Sequence, residues 1–331
     1  YYPMHLWRNE EKDLLNNKMV PPHSNLSEGV DPNNPNSYAD FTLNDYAPEL
    51  MHEEALKFIE ENKDHPFFLY YASPIPHLPL QAPQRWVDYY QKKLGPEEPF
   101  TGKSYFPNLT PRATYAAMIS YLDEQVGDIV FQLKDLGIYD NTLIIFSSDN
   151  GPTYTGGADT PYFDSANPFK TERGWAKGYL HEGGIRVPMI ASWPGRINPG
   201  TISNHLSAFY DVMPTLCEVV GKPIPGQSDG ISFLPALLNK PQVEQHDYLY
   251  WEFPAYNGQQ AVRMGKWKGI RKNIFDGNLG IELYNLDTDI QEQFNIASRH
   301  HDVVEKIETI MKHEHVPPAL DRFKISQLGD K

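Results

Sequence analysis

Cysteine is nearly missing from this chain: Cys217 is the single thiol in 331 residues. One cysteine excludes an intrachain disulfide framework and any cysteine-built zinc or iron–sulfur centre. It leaves the compartment open, because a large domain needs no covalent staple. Positive charge is also scarce, with 29 Lys and Arg against 43 Asp and Glu and a formal charge of −14. That balance argues against nucleic acid as a partner. No apolar run approaches the length of a bilayer span, so no transmembrane segment is expected. Three signatures are missing as well: the Gly-x-Ser-x-Gly nucleophile elbow, the phosphate-binding loop and the dinucleotide fingerprint.

What the chain does have is aromatic mass. Twenty Tyr, 16 Phe and 6 Trp supply enough apolar surface to exclude general disorder and to build a real core. Residues 1–44 are rich in Pro and Asn and read as irregular. A helix is expected next, capped by Asp45, with Pro48 in its first turn and Met51, Ala55, Phe58, Ile59 and Asn62 on one face. Phe67–Ala72 is a continuous apolar run between breakers, the pattern of a strand covered on both faces. Residues 73–109, with seven prolines, read as a long loop. Thr110 as N-cap and Pro111 in the first turn open a helix that carries Tyr115, Met118, Leu122, Val126, Ile129, Val130 and Leu133 and ends near Gly137.

Thr142–Phe146 reads as a second buried strand, and Val187–Trp193 as a third that Pro188 keeps out of a central ladder. Asp211 is placed to cap a helix over 212–220. Beyond Pro235 the texture changes to short antiparallel strands over 248–253, 261–270 and 281–286, then an amphipathic helix over 302–313. The pattern predicts an α/β fold with two parts: an α/β domain over 1–235 and a small α+β subdomain over 236–331.

Candidate chemistry lies in the loops after strands. Ser147-Ser148-Asp149-Asn150-Gly151 follows an apolar strand directly, where open α/β sheets bind ligands. Asp149 and Asn150 offer hard oxygen donors suited to Ca²⁺ or Mg²⁺; an ordinary Asx turn uses the same residues. His77 is flanked by Pro76 and Pro79 through Leu78, which fixes its backbone for proton or hydrogen-bond donation; a packed loop histidine is the plainer alternative. Lys177 opens Lys177-Gly178-Tyr179-Leu180-His181-Glu182-Gly183-Gly184-Ile185-Arg186-Val187-Pro188 and suits an oxyanion such as sulfate or phosphate. Glu182 and Arg186 read as a structural ion pair, His181 as a wetter residue within reach of substrate, Lys170 as a solvated loop lysine, and Cys217 as a buried structural thiol. The histidines at 300, 301, 313 and 315 read as surface residues. Hard donors, a fixed His and an anion-holding Lys together point to a charged ester.

These segments, in this order, resemble the sulfatase family within the alkaline-phosphatase-like superfamily. Phe67–Pro83 with His77, Ser147–Gly151, Lys177–Pro188, Gly265-Lys266-Trp267-Lys268 and Leu283-Tyr284-Asn285-Leu286-Asp287 carry the likeness from about residue 40 to about 315. The resemblance implies an alkaline-phosphatase-like mixed sheet flanked by helices, with a small antiparallel C-terminal subdomain. It implies that Asp149 and Asn150 ligate Ca²⁺, with Mg²⁺ less favoured, and that His77 and Lys177 hold sulfate ester oxygens, His77 assisting the leaving oxygen. It implies hydrolysis of a sulfated sugar or aryl sulfate through a formylglycine made from Cys or Ser in Cys/Ser-x-Pro/Ala-x-Arg.

No cysteine carries that motif here; Cys217 is followed by Glu218, Val219, Val220 and Gly221. The family's paired aspartates are absent too. The expectation is a C-terminal portion of a longer sulfatase, with the nucleophile upstream of Tyr1. The 331 residues alone are then inactive, and are expected to associate with the missing N-terminal part or with another copy. A phosphodiesterase or phosphonate hydrolase of the same superfamily, or a non-catalytic fragment, is the alternative. Family habit implies a periplasmic or secreted protein, and specificity is expected from loops 1–44, 84–109 and 152–176.

Overall fold

The computed structural model describes residues 1–331 and divides into two compact units. The first comprises Tyr1–Thr142 and Thr153–Phe163, the second Leu143–Pro152 and Asp164–Lys331.

In the first unit, β1 (His5–Arg8) and β2 (Glu11–Leu14) form an antiparallel hairpin inside the segment expected to be irregular. Three helices follow: α1 (Ala47–Asn62), α2 (Gln84–Leu94) and α3 (Pro111–Asp135), and then the single turn α4 (Thr160–Phe163). The expected loop over 73–109 thus contains a helix. In α2, Val87 alone is buried, so the prolines on either side outweigh a weak apolar stripe in the sequence. The unit's core gathers Tyr46, Ile75, Leu78, Leu80, Tyr115, Met118, Tyr121 and Ala158.

Helix ends are satisfied differently from the sequence reading. α3 begins after Thr110, as expected, but Thr110 gives no side-chain cap. The Glu97 carboxylate takes that role, accepting from the backbone N–H groups of Arg112 at 2.6 Å and Ala113 at 3.0 Å. A carboxylate at that end also meets the positive pole of the helix dipole. α1 starts without the cap expected from Asp45, whose carboxylate instead accepts from the N–H of Asn16 at 2.5 Å.

Phe67–Ala72 is not a strand covered on both faces. It is extended with no ladder partner. Phe67 meets Phe58 of α1 edge-on and Tyr71 lies 6.1 Å from His52, whereas Phe68 and Tyr70 point outward at 70% and 80% exposure. The run is apolar on both faces, but these residues cover one.

In the second unit, β3 (Ile144–Ser147) pairs antiparallel with β4 (Met189–Ser192), with Ile145 opposite Ala191. The turn α5 (Glu182–Ile185) precedes β4; α6 (Val212–Val219) and the turn α7 (Leu234–Leu237) follow it. Asp211 stands at the N-cap position of α6 but gives it no side-chain cap; its carboxylate instead accepts from Ala208 N, Ile231 N and His246 Nε2. Cys217 is half-buried in α6.

The chain then forms a four-stranded antiparallel meander: β5 (Leu249–Phe253), β6 (Gln259–Met264), β7 (Trp267–Lys272) and β8 (Glu282–Asn285). The stretch 261–270 is therefore two strands, joined by a tight turn at Gly265-Lys266 with Gly265 at φ +54°. Alternation sends consecutive residues to opposite faces. Val262 and Leu283 pack with Val303, Ile307 and Met311 of α8 (His301–Glu314). Ala261, Ile270 and Tyr284 pack with Leu180 on the other face. A methyl group on Gly269 would lie 2.7 Å from Cγ2 of Ile307, so helix and sheet approach closely at that glycine.

The C-terminal tail is fastened through His315, which is not a surface residue. Nδ1 meets Glu252 Oε2 and Nε2 meets Asp330 Oδ1, both at 2.8 Å. Carboxylates only accept, so both ring nitrogens donate and the ring is an imidazolium. Asp330 also accepts from Ile325 N at 2.7 Å, and Ile325 is fully buried. Burial disfavours the charge, but the hydrogen bonds and charges of Glu252 and Asp330 outweigh it and raise the pKa above the ordinary 6.5. Such a group stabilises the fold below its unfolded pKa, and the contribution fades as pH rises through the folded value. Urea unfolding between pH 6 and pH 9 should therefore show a loss of stability in the wild type that His315→Gln lacks. Equal slopes in the two proteins would disprove the clamp.

Candidate active site

Three glycines set the local geometry of the second unit. The chain leaves β3 through Asp149-Asn150-Gly151 and returns past it at Glu182-Gly183-Gly184. Gly151 N–H donates to the carbonyl of Gly184 at 2.9 Å. A methyl group on Gly151 would lie 1.9 Å from the carbonyl oxygen of Gly183. One on Gly183 would meet the Lys170 carbonyl at 2.2 Å, and one on Gly184 the Tyr179 carbonyl at 2.1 Å. Backbone against backbone cannot yield, so no larger residue fits at these positions. The same contact brings Lys177 alongside: its N–H donates to the carbonyl of Pro152 at 3.1 Å.

The structure thus places Asp149, Asn150 and Lys177 on two segments of one unit that are laced together. Asp149 is exposed and forms no ion pair; its carboxylate accepts from the Asn150 amide. The Lys177 ammonium is half-buried and also has no carboxylate partner within 4.0 Å. An unpaired carboxylate beside an amide offers hard oxygens to a cation, and an unpaired ammonium is free to take an oxyanion. The residues fit a hard cation in kind but only in part. No group of three or more His, Cys, Asp or Glu is placed to hold a metal ion, whereas Ca²⁺ takes about six to eight oxygens.

His77 lies in the first unit, exposed, in the loop after the extended run. Its N–H donates to the carbonyl of Pro74 at 2.9 Å, and its own carbonyl accepts from the Tyr1 hydroxyl. Nδ1 sits 2.7 Å from the carbonyl of Leu78, which only accepts. Nδ1 therefore carries a hydrogen, and Nε2 is the atom left to exchange a proton.

Glu182 is a buried charge of the second unit, 3% exposed. Its carboxylate accepts from Lys268 Nζ at 2.8 Å, and from Arg186 Nη1 and Arg263 Nη1 at 3.3 Å each. The pair with Arg186 matches the sequence reading; Lys268 and Arg263 were not read as partners. The available signal was strand alternation: Lys268 shares the inward face of β7 with Ile270, and a lysine there needs a counter-charge. Burial works against ionising Glu182, and the surrounding cations, Lys268 first, nevertheless hold its pKa below the usual range.

Glu292 accepts from Glu182 N at 2.7 Å. Burial pushes it up to about 7; Lys268 opposes that rise and the Glu182 charge adds to it. His181 is fully buried, not wet, between the rings of Trp175 and Tyr284. Burial, aided by Lys272, Lys268 and Lys170, pushes it down to about 2, so it stays neutral and does not reach substrate. Lys170 is not simply solvated; its ammonium lies 4.0 Å from the Trp175 ring centroid.

The family model for sulfatases matches residues 3–222, and a second, described as N-sulphoglucosamine sulphohydrolase, C-terminal, matches residues 171–316. The chain belongs to the sulfatase family. Human arylsulfatase A is 31% identical over 220 residues, covering 63% of this chain and 36% of that protein. The N-acetylgalactosamine-6-O-sulfatase of Bacteroides thetaiotaomicron is 28% identical over 280 residues, covering 80% and 50%. Among solved structures, Ps i-CgsB superposes with a TM-score of 0.66 at 29% identity, covering 81% of this chain and 54% of that one. The phosphonate monoester hydrolase of Agrobacterium radiobacter shares the fold, with a TM-score of 0.58 at 20% identity. The chain therefore spans between about a third and about half of the sulfatases compared here.

Removing one partner of a buried pair leaves an uncompensated charge, at a cost of about 3–5 kcal/mol. Lys268→Met should lose about that much in urea unfolding, and Glu182→Gln in the same chain should recover a large part. A loss under about 1 kcal/mol would show that Arg263 and Arg186 suffice without Lys268.

Proposed function

We propose that the chain is the cation- and leaving-group-bearing part of a sulfuric ester hydrolase, acting on a sulfated sugar or aryl sulfate. The observation that carries this reading is the laced pair of segments that presents unpaired Asp149 and unpaired Lys177 in one unit of a sulfatase-family chain. No cysteine carries the formylglycine motif; its serine form occurs only at Ser192-Trp193-Pro194-Gly195-Arg196, where Ser192 ends β4 opposite Ile144, at the far end of the strand pair from Asp149, and we assign the nucleophile to residues upstream of Tyr1. Family relatives named for sulfate esters of N-acetylgalactosamine support the sugar over a bare aryl group.

In this reading Lys177 binds the sulfate oxygens and offsets the charge that moves onto them as the ester bond breaks. His77 holds a proton at Nε2 and delivers it to the departing alkoxide, with Nδ1–H kept on the Leu78 carbonyl to fix the ring. Asp149 and Asn150 would hold Ca²⁺, which supplies further stabilisation of negative oxygen when bound. The Asn150 amide, which now turns its N–H₂ to Asp149, would rotate to present its oxygen. The net reaction consumes water and releases an alcohol and hydrogen sulfate. No helix is long and apolar enough to cross a membrane. We place the protein in the periplasm or outside the cell, where free Ca²⁺ is plentiful.

The test is release of sulfate. The protein as its host makes it should hydrolyse sulfate esters with Ca²⁺ present, and the recombinant 331-residue chain should release none. In the active form Lys177→Ala should lower kcat/KM about 10²- to 10³-fold, the scale of one lost oxyanion contact. Host protein that cleaves phosphonate monoesters and leaves sulfate esters intact would move the assignment to the other hydrolase class.

A further inference from the structure

The turn between β5 and β6 carries a half-exposed aromatic ring in a strained and well-fastened position. Tyr256 and Asn257 are consecutive non-glycine residues with left-handed backbones, φ +49° and +71°. Such residues cost about 1 kcal/mol or more each and persist where the surroundings demand them. Here the surroundings do. Asn257 donates its amide to Asp276, its carbonyl accepts from Phe275 N at 3.1 Å, and Gly258 accepts from Ile274 N at 3.2 Å.

The ring so held lies directly over Gly178. A methyl group on Gly178 would be 2.4 Å from Cε2 of Tyr256, and Gly178 itself has φ +87°. Tyr179 lies tilted against the ring at 5.1 Å between centroids, and Phe253 stacks on it at 6.3 Å. The backbone beneath is clamped as well. Gln259 donates to the Gly178 carbonyl at 2.9 Å and accepts from Leu180 N at 3.3 Å. Tyr256 is still 48% exposed. The strain therefore holds a half-exposed aromatic ring over the residue that follows Lys177.

The same turn is fastened by polar groups. Asn257 bonds Asp276, and the Asn273 amide oxygen stands 3.5 Å from the Asn257 amide. A half-exposed ring on a turn that carries amides and a carboxylate suits a pyranose, which has apolar C–H faces and hydroxyl edges. A plain aryl group would use the ring and leave those polar groups idle.

We propose that Tyr256 is the stacking platform for the sugar ring whose sulfate Lys177 holds, so that this turn sets the preference for a sulfated saccharide. The inference rests on the sulfatase reading of Lys177. The test uses the 331-residue chain and isothermal titration with three probes: inorganic sulfate, N-acetylgalactosamine 6-sulfate and 4-nitrophenyl sulfate. Tyr256→Ala should weaken the sulfated sugar about fivefold to tenfold, leave inorganic sulfate within about twofold, and be rescued by Tyr256→Trp. Lys177→Ala should weaken all three. Equal weakening of inorganic sulfate by Tyr256→Ala would make the ring a structural prop and overturn the proposal. No change for the sugar, or an equal loss for 4-nitrophenyl sulfate, would also overturn it. Wild-type chain that binds none of the three would overturn the sulfatase reading of Lys177 itself, an outcome distinct from a failure of Tyr256 alone.

Discussion

A carboxylate at 3% exposure cannot stay ionised without cations around it, and Glu182 has three: Lys268, Arg263 and Arg186. Two of them come from strands β6 and β7, so the charge ties the turn at 182–185 to the C-terminal sheet. The consequence runs along the backbone. Gly183 and Gly184 directly follow the tethered Glu182, and their carbonyls receive Gly151 in a contact that allows no side chain. Asp149 and Asn150 are the residues just before Gly151. A buried ion pair thus sets where the exposed oxygen donors stand, through three peptide units and without touching them. The C-terminal meander is part of how the loops of the site are held.

The same logic explains why the Glu292 pKa is raised and why His181 is neutral. Glu182 already satisfies the cations, so a second carboxylate at the same depth finds burial and like charge against it, and its pKa rises to about 7. His181 faces lysines on several sides and no carboxylate, so protonation would add charge where none is answered. A second ionised group at this depth, of either sign, is thus opposed by burial and by the charges already there.

Much of the architecture was legible where periodicity is strong. α1, α3 and α8 fall within a residue or two of their expected spans, because apolar residues recur at helical spacing over ten or more positions. β5 and β8 were legible as short strands for a similar reason. What was not legible depended on partners distant in sequence. Glu97 caps α3 from 14 residues upstream of its first position, a role no local pattern around Thr110 could reveal. The run Phe67–Ala72 looked buried on both sides because six apolar residues give no alternation, yet which face is covered depends on what stands beside it. The split of 261–270 into β6 and β7 turned on Gly265, a single residue in a stretch otherwise read as continuous. At the site, the motifs placed Asp149, Asn150 and Lys177 on segments the fold laces together; the buried state of His181 and the tether of Lys268 were tertiary facts.

Gly178 links the two tasks a site of this kind must perform. Its left-handed backbone turns the chain between Lys177, whose ammonium is unpaired, and Tyr179, which leans against Tyr256. With no side chain at 178, the Tyr256 ring can descend onto the backbone and the lysine beside it keeps its place. A larger residue there would have to lift the ring or break the Gln259 clamp, and either change moves the peptide that carries Lys177. Recognition of a ring and capture of its anion would then be coupled mechanically. On the proposed roles of Tyr256 and Lys177, a substrate that fits the ring would draw on the same backbone geometry that positions the lysine, so shape selection and charge stabilisation would rise or fall together.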